Sequence, residues 1–242
     1  MMPLRGRSPL FGRALLGLLC LFLLGLSACA SASSTGTGGL VVQSTPKSRL
    51  TYVAIGASDT FGLGADDPQT ENWAADLASK LGRGVHFVNL GIPDMHVHDA
   101  LNVELPIALD SHPNLITVWL AVNDIADNVP LDQYSHDLNQ LLSSLHRAFP
   151  QARIAVANVP DLTLLPHFQN YNFQTLHTQI AAYNTAIATD VQRNHALLVD
   201  LYARWNDLAA HPDYISDDGF HPNALGYTRL AEIFYQVLQS NP

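Results

Sequence analysis

The amino-acid sequence predicts an α/β domain in which one parallel five-stranded sheet is covered by helices on both faces. Two observations carry this. Short Val/Ile/Leu-rich runs alternate along the chain with longer segments whose apolar residues recur at helical spacing. The runs are short and almost wholly apolar, as strands buried on both faces are.

The first strand is expected over 51–57 (TYVAIGA), and a helix over 71–82 follows from the stripe Trp73, Leu77, Leu81. The second strand covers 85–90 (VHFVNL) and the third 115–121 (LITVWLA). A helix over 132–149 carries Leu138, Leu141, Leu142, Leu145 and Phe149, and the fourth strand follows at 153–158 (RIAVAN). Leu176, Ile180, Tyr183, Ile187 and Val191 mark a helix over 173–193, before a fifth strand at 196–201 (ALLVDL). The last helix, over 222–239, presents Leu230, Ile233, Phe234, Val237 and Leu238. These stripes predict core, not cofactor contacts. The segments 92–113, 124–131 and 160–172 read as loops that shape a cleft. They contain Met95, Pro130, Leu164, Leu165, Phe168 and Tyr171, which suggest a partly apolar wall.

The N-terminus has a different character. Arg5, Arg7 and Arg13 precede an apolar run from Ala14 to Ala28 that ends in Leu26-Ser27-Ala28-Cys29. A basic start, a short apolar stretch and small residues before a cut site predict an export signal over 1–28. Fifteen apolar residues are few for a membrane span, which takes about 20. The cysteine at the cut resembles the bacterial lipobox. That resemblance implies cleavage before Cys29, lipidation of Cys29, and a chain held outside the cytoplasm on the cell membrane. Residues 30–48 (ASASSTGTGGLVVQSTPKS) predict a flexible tether of roughly 25 Å root-mean-square length. The folded domain is expected over 49–242, large enough for a single core.

Of the 242 residues, 48% are hydrophobic and 14% charged, which excludes a disordered chain. The net charge is −9, and without the three N-terminal arginines the remainder carries −12. Such a surface repels phosphate backbones, so no nucleic-acid partner is expected. Cys20 and Cys29 both precede the domain, which therefore holds no disulfide.

Ligands of open α/β sheets bind beyond the carboxyl ends of the strands, at the switch point. With strand order 2-1-3-4-5, the first strand lies between the second and third. The stretches Gly56-Ala57-Ser58-Asp59, Asn89-Leu90-Gly91 and Ala121-Val122-Asn123-Asp124 then become neighbours. A serine hydroxyl attacks an ester carbonyl once a base takes its proton. The developing oxyanion needs fixed donors, and an asparagine amide with backbone N–H groups supplies them. Among eleven histidines, His221 stands out in Asp218-Gly219-Phe220-His221-Pro222-Asn223. Pro222 restricts His221 and is suited to open the last helix. Asp218 can reach the second ring nitrogen and fix its tautomer. The nineteen residues 202–220 are long enough to bring His221 from the fifth strand to the first.

These four blocks resemble the SGNH (GDSL-like) hydrolase superfamily: AIGASDTFGLG (54–64), VNLGIPD (88–94), WLAVND (119–124) and DDGFHPNALGY (217–227). The resemblance implies a three-layer α/β/α fold and ester hydrolysis without metal or other cofactor. It assigns Ser58 as nucleophile, His221 and Asp218 as its acid/base pair, and the Ser58 N–H, Gly91 N–H and Asn123 side chain as the oxyanion hole. The substrate would be a small ester, a lipid or an acylated carbohydrate. An acyltransferase or carbohydrate deacetylase could use the same groups, and a binding module without activity is the non-enzymatic rival. Two departures stand out: GDS has become Gly56-Ala57-Ser58, and GxND has become Ala121-Val122-Asn123-Asp124. Thr60 stands where the second glycine of a GxSxG elbow would be. Asp124 reads as a turn former and Asp200 as structural. Asp94, His96, His98 and Asp99 contain metal-ligand types, but no fourth-ligand pattern accompanies them. They read as a surface loop along the cleft.

Overall fold

The computed structural model describes residues 50–241. The export signal, Cys29 and the tether expected before Leu50 lie outside the described residues. Five strands form one sheet: β1 Thr51–Gly56, β2 His86–Asn89, β3 Leu115–Trp119, β4 Arg153–Ala157 and β5 Leu197–Val199. Their order is β2-β1-β3-β4-β5, and every neighbouring pair is parallel. Around them lie α1 Ser58–Phe61, α2 Trp73–Leu81, α3 Val97–Ala100, α4 Glu104–Asp110 and α5 Val122–Ala126. Then come α6 Leu131–Ala148, α7 Phe173–Arg193, α8 Trp205–Ala210 and α9 Ala224–Ser240.

Alternation along each strand divides the core in two. Val53, Ile55, Ile116, Val118, Ile154 and Val156 face α6 and α7, meeting Leu138, Leu141, Leu142 and Ile180. Tyr52, Ala54, Leu115, Ala155 and Val199 face α2 and α9, meeting Trp73, Leu77, Tyr227 and Phe234. Trp73 stacks on Phe234 at 4.2 Å between ring centroids and so locks α2 to α9. Fully burying each such side chain contributes about 1.5–3 kcal/mol, so both helical layers are held chiefly by burial.

Three helices begin where asparagines cap them, while α6 begins behind Pro130 without a side-chain cap. Asn72, Asn172 and Asn223 accept N–H groups of the first turns of α2, α7 and α9. Pro222 therefore does not open the last helix. It pairs with Ile215 in an antiparallel bridge, and the helix starts two residues later behind Asn223. The segment read as a loop over 92–113 contains α3 and α4, and 160–172 contains 3₁₀ turns at Leu162–Leu164 and Pro166–Phe168. Elements of three to seven residues are too short to display a helical period.

The register sets the site. Ala54 pairs with Asn89 of β2, and Gly56 with Trp119 of β3. The chain exits of these three strands are thereby placed side by side.

Candidate active site

Ser58 is the first residue of α1, directly after β1 and the single residue Ala57. Its carbonyl accepts the N–H groups of Gly62 and Leu63, which closes the short helix. The side chain is 6% exposed. Its Oγ lies 3.0 Å from His221 Nε2, and His221 Nδ1 lies 2.6 Å from Asp218 Oδ2. Burial pushes the Asp218 carboxyl up, but hydrogen bonds from His221, Phe220 and Ser216 outweigh it and hold the pKa at about 2. Asp218 is then ionised at neutral pH, so the facing Nδ1 carries the ring proton. Nε2 is left as an acceptor, and the Ser58 hydroxyl donates to it.

The His221 segment is carried back from β5 by α8 and a 3₁₀ turn at Pro212–Tyr214. The return is a tight loop, with Ser216 N–H donating to His221 O and Asn223 N–H to Tyr214 O. It rests on Gly64, whose φ is +97°; a Cβ there would stand 2.5 Å from Pro222 O and 2.9 Å from His221 Cβ. Only glycine permits both that backbone and that approach. On the other side, Phe220 stacks on His167 at 5.1 Å.

Asn123 lies in the first turn of α5 and lines a small niche with Ser58, Asp59, Ala121 and Phe220. One N–H of its amide donates to Met95 O at 3.1 Å. Gly91 requires a correction. Its N–H donates to Asn89 Oδ1 at 2.9 Å and is already taken, while Asn89 Nδ2 donates to Thr60 O at 2.7 Å. A Cβ on Gly91 would stand 2.3 Å from Phe61 N and 2.5 Å from Thr60 C. Gly91 is the point where the loop after β2 rests on α1, the helix that begins with Ser58, and its missing side chain is what the fold needs there.

Asp124 is likewise no turn former. It lies inside α5 and is buried, and its Oδ1 accepts Val97 N–H at 3.4 Å. Burial pushes its carboxyl up to about 6. His96 pairs with Asp127 at 2.9 Å and His98 with Asp137 at 3.0 Å. These pairs turn the two rings to different carboxylates. Among the described residues no group of three or more His, Cys, Asp or Glu side chains is arranged to hold a metal.

Two further carboxyl groups lie near the site, one without any motif and one inside the Ser58 block. Glu104 of α4 is fully buried; its Oε1 accepts Gly56 N–H at 3.0 Å and so braces the strand end that carries Ser58. Burial pushes its carboxyl up to about 8, against the smaller effect of that hydrogen bond. Asp59 follows Ser58 and lines the same niche, and burial pushes its carboxyl up to about 6. The acidic neighbour missing before Ser58 thus has a counterpart after it.

A three-layer sandwich with a buried serine, a histidine and a carboxylate at the switch point defines the class of ester hydrolases. Residues 54–229 match the model of the GDSL-like lipase/acylhydrolase family, and the chain belongs to that family. No curated protein sequence matches the chain. Solved structures give the fold a wider setting. The lipase/acylhydrolase from Enterococcus faecalis is 16% identical with a TM-score of 0.63, over 79% of this chain and 96% of that one. The psychrotrophic esterase EstA from Pseudoalteromonas is 19% identical with a TM-score of 0.63, over 78% and 97%. The acetyl xylan esterase AlAXEase is 15% identical with a TM-score of 0.62, over 78% and 100%. At these identities the likeness concerns the fold.

Proposed function

We propose that the chain hydrolyses carboxylic esters through an acyl-enzyme on Ser58. The observation that carries this reading is the unbroken set Ser58 Oγ, His221 Nε2/Nδ1 and Asp218, spaced at 3.0 and 2.6 Å. His221 takes the hydroxyl proton as Ser58 attacks the carbonyl carbon, and Asp218 stabilises the imidazolium. His221 then protonates the departing alcohol. Water, deprotonated by the same ring, attacks the acyl-serine and frees the acid.

The oxyanion is held by the Ser58 N–H, at the first turn of α1, and by the remaining N–H of the Asn123 amide. For the donor expected of Gly91 we propose the N–H of Asp94. Asp94 adjoins the Met95 carbonyl that Asn123 touches, and it is held at a left-handed φ of 61°. Such a backbone is uncommon away from glycine and occurs where a loop's N–H direction matters.

Hydrolysis of p-nitrophenyl esters by the full chain and its Ser58→Ala form tests the reading. Turnover and labelling by a fluorophosphonate should both vanish in Ser58→Ala. Turnover that survives it would reject Ser58 as the nucleophile. We also propose attachment to the cell membrane through lipidated Cys29, supported by the basic, apolar and small-residue pattern that precedes it. Cys29→Ser should release the chain from the membrane fraction; retention would count against the anchor.

A further inference from the structure

Beside the reacting groups lies a cavity that none of the steps above uses. Its walls include Trp119 at the end of β3, Leu162 and Leu165 in the turns after β4, Leu208 of α8 and Leu230 of α9. Its volume is about 100 Å³. Asp59, Trp119, Val122 and Phe220 line both this cavity and the niche that holds Ser58 and Asn123. These four common residues set the two spaces side by side next to Ser58.

We propose that this cavity is the acyl pocket, and that the preferred substrates are esters of short straight-chain acids of about four to six carbons. The inference rests on the serine-hydrolase reading above. The size follows from the space. An apolar cavity of about 150 Å³ takes the six carbons of benzene, so one of about 100 Å³ takes roughly four carbons beyond the carboxyl carbon in the niche. The chemistry follows from the lining. Most of it is apolar, and a hydroxylated or sugar-borne group placed against those apolar walls would lose its water without gaining hydrogen bonds there. The charged side chains that reach it are Asp59, Arg204 and the pair Asp207–Arg229, joined at 2.6 Å. The alcohol part of the ester stays on the open side of Ser58.

The cavity also differs from the wall the loop sequences suggest. Of Met95, Pro130, Leu164, Leu165, Phe168 and Tyr171, only Leu165 lines it. Met95 and Phe168 are in the core, while Leu164 and Tyr171 are exposed. The other walls come from the end of β3, the turn after β4, and α8 and α9.

The test uses the full chain in detergent and p-nitrophenyl esters from acetate to palmitate. The value of kcat/KM should rise about fourfold per methylene up to four to six carbons, then fall. Leu208→Trp and Leu230→Trp fill the pocket from two half-buried wall positions. Each should lower butyrate and hexanoate hydrolysis at least about tenfold and leave acetate hydrolysis within twofold. Variants that hydrolyse acetate normally and keep the wild-type chain-length profile would overturn the pocket. Should both variants misfold, inactivation of the wild type by p-nitrophenyl alkylphosphonates decides: a rate independent of alkyl length overturns it as well. A wild type that neither hydrolyses acetate nor labels with a fluorophosphonate rejects the parent reading. An acetate-active, labelled enzyme with a flat profile rejects the acyl pocket alone.

Discussion

Replacing Asp218 by asparagine changes one atom, yet the structure specifies how that atom must be placed. Oδ1 of Asp218 accepts three donors: Ser216 Oγ–H at 2.8 Å, Phe220 N–H at 2.8 Å and His221 N–H at 2.9 Å. Oδ2 faces only His221 Nδ1, at 2.6 Å. In Asp218→Asn the amide oxygen must keep the Oδ1 position, because an NH2 group there would confront three donors. The NH2 group then faces Nδ1 and donates to it. The ring proton is driven to Nε2, where it points at Ser58 and cannot receive the hydroxyl proton. Loop geometry survives, since three of the four hydrogen bonds are kept. The expected cost is about 10⁴ in kcat, the magnitude seen when a triad carboxylate is replaced by its amide and the wrong tautomer is fixed. The assay is p-nitrophenyl ester turnover with the fluorophosphonate labelling rate, alongside a thermal melt. A Tm lowered by a few degrees, for the charge-assisted hydrogen bonds lost, with both rates down about 10⁴ is the expected result. Turnover within tenfold of wild type would refute the claim that Asp218 sets the tautomer of His221.

Other perturbations follow from the same geometry. Asn123→Ala removes an oxyanion donor and should lower kcat about 10²–10³ with little change in KM; a kcat within threefold would remove Asn123 from that role. Gly91→Ala drives a Cβ into the backbone at Thr60 and Phe61, where no flexible side chain can yield. Overpacking of this kind costs about 1–3 kcal/mol, so thermal melts should show a drop of several degrees, together with lost turnover because α1 shifts. A melt equal to wild type would contradict the close approach. Glu104 has its carboxyl raised from 4.5 to about 8 by burial, and Asp59 and Asp124 are raised from 3.8 to about 6. Between these limits the folded chain keeps protons that the unfolded chain has released. Stability from these groups is therefore complete below about pH 4 and declines as pH rises through 8. Glu104→Gln keeps an acceptor for Gly56 N–H and should flatten that decline between pH 6 and 8.5, as read by Tm against pH. Identical slopes in both proteins would show that Glu104 does not carry it.

The comparison of sequence with structure separates local from tertiary information. The strands and long helices are legible because burial on both faces demands runs of Val, Ile and Leu, and burial on one face demands a helical stripe. The bounds of α7, 173–193, agree with the structure to the residue. The structure brings Ser58, Asn123, Asp218 and His221 together, and as candidates they are legible because their chemistry depends on residue type within short blocks at strand ends. Gly91 was misread for an instructive reason. A glycine beside a reacting centre suggests a free N–H, but whether that N–H is free depends on Asn89, whose side chain folds back onto it. Pro222 was misread in the same way, since Asn223 takes the cap.

What the sequence by itself determined is the order of elements, the three-layer sandwich and the residues that the proposed reaction uses. These rest on periodicity and residue chemistry, which act within a few positions along the chain. Only the tertiary structure decided the buried carboxylate of Glu104 under Gly56, 48 residues away, and the cavity walled by residues from Asp59 to Ile233. Burial, hydrogen-bond competition and cavity shape are sums over neighbours in space. No local pattern encodes those neighbours until the sheet has set them side by side.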